Sequence, residues 1–226
     1  MKLFSKILGL ALVSGMVACS NAPEEAIEAT DAKEVAKEVV SAETFSVVTD
    51  GDEINWIGFK TYNDDSHSGT LQVEEGEFQT EGGNIVSGKF VINMASINNT
   101  DMPADSEGKG KLESHLKGDD FFAVDQYPTA TFSLTSVKLA DESDTTGATH
   151  ILSGNLSMRD QEKNITIPAM VNMEGDKIEI KTPEFVIDRT QWNVNHNSTA
   201  SAEAVSKDYL IDNNIKLKIT LIAKKS

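Results

Sequence analysis

The chain has 226 residues, with 36 acidic against 20 basic side chains and a formal net charge of −16 at pH 7. That balance excludes a nucleic-acid partner, which needs a basic surface, and opposes docking by charge alone on an anionic membrane. Apolar residues at 39% and charged ones at 25% fit a globular protein, and the single cysteine excludes a disulfide framework and a multi-cysteine metal site.

The N-terminus carries Lys2 and Lys6, then an apolar run from Ile7 to Val17 that is too short to span a bilayer. It ends in Met16-Val17-Ala18-Cys19. Small residues before a cysteine at the end of such a run resemble the bacterial lipobox, although Met16 stands where Leu is usual. The resemblance implies a lipoprotein signal peptide over 1–18, removed on export, and acyl chains such as palmitate attached at Cys19. Several acyl chains anchor stably, at about 0.8 kcal/mol per buried CH₂. Ser20 rather than Asp follows Cys19, so the expected site is the outer membrane, with the domain in the periplasm. Without residues 1–18 the chain holds 18 basic and 36 acidic side chains, a net −18.

Residues 19–43 are rich in Ala, Glu and Val, with no aromatic residue and no glycine, and read as an acidic flexible tether. From Phe45 the pattern changes to period-2 alternation. Ile54-Trp56-Gly58, Leu71-Val73, Phe90-Ile92-Met94, Ile165 through Met173, Ile178-Ile180 and Ile215 through Leu221 each place alternate residues on one face. That predicts antiparallel strands with one apolar and one wet face. Turns are expected at Glu75-Gly76, Glu81 to Asn84, Asp144 to Gly147 and Glu174 to Asp176, the last closing a hairpin. Long strands with a single apolar face need an opposing sheet or closure on themselves. A barrel of about eight such strands encloses a lumen able to hold one ligand. Between Met102 and Val124 the alternation lapses, and Leu112, His115 and Leu116 suit a short helix stopping at Gly118.

The run Leu112, His115-Leu116-Lys117, Asp120-Phe121-Phe122 and Tyr127-Pro128-Thr129-Ala130-Thr131-Phe132 resembles the hallmark of the YceI-like family. In order around it stand Trp56, Gly58, Lys60 and His67-Ser68-Gly69; Gly82-Gly83 to Ile97; Gly154-Asn155-Leu156; Phe185-Val186-Ile187-Asp188-Arg189 with Trp192; and Ile211-Asp212. The resemblance spans residues 44–226. It implies an all-β chain, an elongated antiparallel lipocalin-like β-barrel with one short helical insertion. It also implies a lumen that binds a long apolar ligand, a polyisoprenoid, quinone-like or fatty-acid-derived lipid, for carriage or storage and without turnover. One departure is Arg159-Asp160, where the family usually has a glycine, so this hairpin is expected to be reshaped.

Other chemistries lack their parts. Gly83 to Lys89 has phosphate-loop spacing, but Phe90 replaces the Ser/Thr that binds magnesium. Ser114-His115-Leu116-Lys117 lacks the companion motifs of penicillin-binding enzymes. His67, His115, His150 and His196 show no local ligand spacing, so no metal is read, and no catalytic residue or cofactor is expected. The expected lining is Trp56, Phe90, Ile92, Phe121, Phe122, Phe132, Leu134, Leu156, Phe185, Ile187 and Trp192. His115 and Asp120 read either as contacts to a ligand head group or as structural residues of the helix end and the following turn. Arg189 reads either as half of a buried ion pair or as a head-group contact. A lipid-modifying enzyme and a stress-response or surface interaction protein with a packed barrel are the alternatives, and a homodimer through an exposed end is left open.

Overall fold

The alternation sets the strands. In the computed structural model, residues 25–49, 54–62, 65–141, 143–201 and 206–226 are described. Among them are β1 (Thr30–Asp31), β2 (Glu43–Val47), β3 (Ile54–Lys60), β4 (Ser66–Glu81), β5 (Asn84–Asn99), α1 (Glu107–Lys117), β6 (Thr129–Leu139), β7 (His150–Met158), β8 (Gln161–Glu174), β9 (Lys177–Lys181), β10 (Phe185–Asp188) and β11 (Ile211–Lys225). The proposed signal peptide and Cys19 lie outside the described residues.

Antiparallel pairing runs β4–β5–β6–β7–β8–β9–β11–β2 and returns to β4, closing a ring of eight strands. Toward one end β3 takes over from β2 between β4 and β11, and β10 pairs with β11. The all-β, lipocalin-type architecture is therefore present. The β8–β9 hairpin pairs Glu174 with Lys177, as the Glu174 to Asp176 turn predicts. Gly82 and Gly83, at φ 58° and 79°, make the tight turn between β4 and β5, a left-handed backbone that twisted hairpins require.

The turn expected at Glu75-Gly76 is not one. Both residues lie inside β4, beside a register shift between Val73 and Glu75. A Cβ on Gly76 would sit 2.7 Å from the Val47 side chain and 2.8 Å from that of Phe90. The glycine there permits close approach between strands, as glycine does at bulges.

Inside, the barrel divides into two halves. Phe45, Phe78, Ile85, Leu152, Ile178 and Leu221 are buried at the end where β4 turns into β5 and β8 into β9. The other end receives α1. Gly118 N–H donates to His115 O where the helix stops, as expected. The helix is tied to β5 by Asn99 N–H on Glu113 Oε1 at 2.8 Å and Lys109 Nζ on Asn98 Oδ1 at 3.0 Å.

The segment expected to be a flexible tether is bound to the barrel over its described part. Ile27 N–H donates to Val186 O, Thr30 and Asp31 pair with Asn164 and Lys163 of β8, and Ala36 N–H donates to Leu134 O. Val39 N–H donates to Gln79 Oε1. Ile27 and Ala29 pack against the apolar core. Residues 27–31 thus bond to both β8 and β10, which do not pair with each other. Contacts with the barrel reach back to residue 27. Unpaired main-chain groups of β8 and β10 explain this, because a strand edge binds any segment that supplies donors and acceptors.

Candidate functional site

A cavity of about 400 Å³ occupies the half of the barrel nearer α1. Its wall is built from the inward positions of most strands: Ile54 and Trp56 from β3, Phe90, Ile92, Met94 and Ile97 from β5, Ala130 and Phe132 from β6, Leu156 and Met158 from β7, Ile165 and Ile167 from β8, and Ile215, Leu217 and Ile219 from β11. Leu112 and Leu116 of the helix face into it. Phe90 and Phe132, cross-strand partners, hold their rings 5.4 Å apart. Polar lining gathers at one end. Lys60, His67, His196, Asn197, Tyr209 and Asp212 come from strand ends and loops around the β3–β4 and β3–β11 pairs, and His115 comes from α1.

Of the residues singled out in the sequence, Trp56, Phe90, Ile92, His115, Phe121, Phe122, Phe132, Leu156, Phe185, Ile187 and Arg189 line this cavity. Three do not. Leu134 points inward but lies in the packed half, where it converges with Phe78 over Gly88. Trp192 sits on the 3-10 turn Arg189–Trp192 rather than on a strand, so period-2 counting does not orient it; it is fully buried and its Nε1 donates to Leu156 O at 2.8 Å. Asp120 stands outside the wall, with Oδ2 3.5 Å from His115 Nε2.

The mouth is a cluster of rings. His115, Phe121 and His196 lie with centroids 4.9–5.0 Å apart, and the Arg189 guanidinium carbon is 6.0 Å from the Phe121 centroid. Burial pushes the His196 pKa down, and His115 and Arg189 add to that against the opposing pull of Asp120. Arg189 is 1% exposed. It donates through Nε to Asp212 O at 3.0 Å, through Nη1 to Val194 O at 2.5 Å, and through Nη2 to His196 O at 3.0 Å and Ile211 O at 3.1 Å. It is therefore neither half of a contact ion pair nor a free head-group donor, but a tie between the 193–197 loop and the start of β11. Burial pushes its pKa down to about 10, because a buried cation is poorly solvated.

The family model described as the YceI-like domain matches residues 34–223. The chain belongs to the YceI-like family. Among solved structures, a polyisoprenoid binding domain from Saccharophagus degradans, implicated in plant cell wall breakdown, superposes with a TM-score of 0.55 at 13% identity, covering 85% of this chain and 100% of that one. BcnA of Burkholderia cenocepacia gives 0.51 at 16% identity, covering 79% and 96%. At these identities the likeness establishes the fold. No curated protein matches the chain.

In this YceI-like domain the atypical hairpin is a two-residue turn all the same. Arg159 and Asp160, at φ 48° and 57°, adopt the left-handed conformation themselves. Arg159 then reaches the mouth, donating through Nη1 to Phe121 O and to Asn193 O. Sequence reasoning missed this pin, and it missed His196. No local spacing marks either residue, because each meets partners that only the folded barrel supplies.

Proposed function

We propose that the chain is an envelope lipoprotein whose lumen holds a long apolar molecule, a polyisoprenoid, quinone-like or fatty-acid-derived lipid, for carriage or storage and without turnover. The observation that carries this is the cavity: almost wholly apolar walls, closed at one end by packed side chains and polar only at the other. Such a shape favours a molecule with a long apolar body and a small polar end. Each 100 Å² of apolar ligand surface taken out of water contributes about 2.5 kcal/mol, so affinity needs no specific polar contact. The name of the Saccharophagus domain, a polyisoprenoid binding domain of the same fold, supports the same reading.

The lipobox-like run ending at Cys19 supports an acyl anchor, and Ser20 supports the outer membrane with the domain in the periplasm. Organic extraction of the purified protein followed by mass spectrometry tests the lumen. A stoichiometric long-chain lipid is the expected result, and a lipid-free protein would overturn the reading. Palmitate labelling of the wild type and of Cys19→Ser tests the anchor, with label expected only on the former.

A further inference from the structure

His115, Asp120 and His196 bring one imidazole nitrogen or carboxylate oxygen each to within 4.8 Å of one another at the lumen mouth. We propose that these three side chains bind a divalent transition-metal ion of the zinc class. Two imidazoles and one carboxylate form the donor set that such ions take, and three protein ligands leave a further coordination position open.

The geometry is close to what is needed. Bonds of about 2.1 Å in a tetrahedral site put ligand atoms roughly 3.4 Å apart, so the groups must close by about 1.4 Å at most. The carboxylate and the His115 ring have room to do so, with side chains 66% and 46% exposed. The main chain beneath them is held. Arg189 fixes the carbonyl of His196, Arg159 fixes those of Phe121 and Asn193, and Glu113 ties the helix that carries His115 to Asn99. Rigid backbone with adjustable side chains is the arrangement a metal site requires before its ion arrives. The net charge of −16 attracts cations to the protein. The Arg189 guanidinium opposes a second positive charge here, and the Asp120 carboxylate offsets it.

Both imidazoles line the lumen while Asp120 stands outside it, so the site lies at the edge of the cavity's polar end. An oxygen on the polar end of a lumen ligand would reach the ion there. This last step rests on the lipid-binding reading, whereas the metal site does not.

Titration of the purified full-length protein in detergent with Zn²⁺, and with Co²⁺ for its visible absorption bands, tests the proposal. Saturable binding of one ion per chain is expected. His115→Gln and His196→Gln should each weaken it by more than about tenfold, a loss that even changes around a ligand produce. His150→Gln, at the far end of the barrel, should leave it unchanged, with circular dichroism verifying the fold of each variant. No binding, or equal affinity in the wild type and both mouth variants, overturns the site. Lipid extraction without added metal reads the lumen separately, so a failure of either idea is told apart from a failure of the other.

Discussion

The Asn155 side chain forms a closed pair of hydrogen bonds with the main chain of Lys33, accepting from Lys33 N–H at 3.1 Å and donating to Lys33 O at 2.7 Å. Asn155 is 2% exposed and also accepts from Asn164 Nδ2 at 3.0 Å. The N-terminal segment therefore shields a polar network that would otherwise belong to the wet face of β7 and β8. Asn155→Ala leaves two main-chain groups of Lys33 unpartnered and should cost about 1–3 kcal/mol in urea unfolding. Truncation through residue 36 should also destabilise, and combining the two changes should cost less than their sum, since they remove one shared interaction. A free spacer would give no loss on truncation.

Ala130 is the smallest strand side chain of the cavity wall named above, 2% exposed and paired with Ile92 across β5 and β6. Ala130→Phe places a ring in the space proposed for the ligand. It should remove most extractable lipid while costing only about 1–3 kcal/mol of stability from overpacking. Leu139→Phe, on an exposed position at the end of β6, is the control and should leave lipid content unchanged. Undiminished lipid in Ala130→Phe would place the ligand elsewhere.

Arg189 joins four carbonyls that no other side chain serves in the same way. Arg189→Met strands them and should cost about 3 kcal/mol or more, with lost amide-exchange protection around Val194 and His196. Arg189→Lys should recover little, because a single ammonium cannot reproduce the planar fork. A mild loss in both variants would show that the 193–197 loop is held by other contacts.

The barrel was legible because its strands alternate cleanly and its hairpins at Gly82-Gly83 and Glu174 to Asp176 carry turn residues. Glu75-Gly76 misled because glycine marks close approach as well as turns, and composition cannot separate the two. The reverse holds at Arg159-Asp160, where two non-glycine residues take the left-handed turn. Of the eleven singled-out residues that reach the lumen, the seven on strands do so because inward positions follow from register once a strand is located, whereas His115, Phe121, Phe122 and Arg189 lie off the strands. Trp192 escaped that logic on its 3-10 turn, and Leu134 because depth along a barrel is not encoded in period 2. The N-terminal strap has no alternation at all. Its docking depends on outward polar residues such as Asn155 and Gln79, which in sequence look like any solvated strand face.

Asp101 carries a pH dependence with a definite sign. Its Oδ1 accepts from Ser68 N–H at 2.8 Å and from Asn99 Nδ2, and its Oδ2 lies 3.0 Å from His67 Nδ1. Burial pushes the carboxyl pKa up, but the hydrogen bonds from His67, Ser68 and Asn99 outweigh it and hold the pKa below its usual value. The folded protein then binds this proton less tightly than the unfolded chain does. The stabilisation is full above the ordinary carboxylate pKa of about 3.9 and is lost as pH falls through the lower folded value. Urea midpoints of the wild type and of Asp101→Asn should therefore differ at neutral pH, keep that difference down to about pH 4, and converge below it. Other titrating carboxylates are common to both proteins and drop out of the comparison. A difference that stays constant down to pH 3 would show that Asp101 holds the β4–β5 end through its shape alone, not its charge.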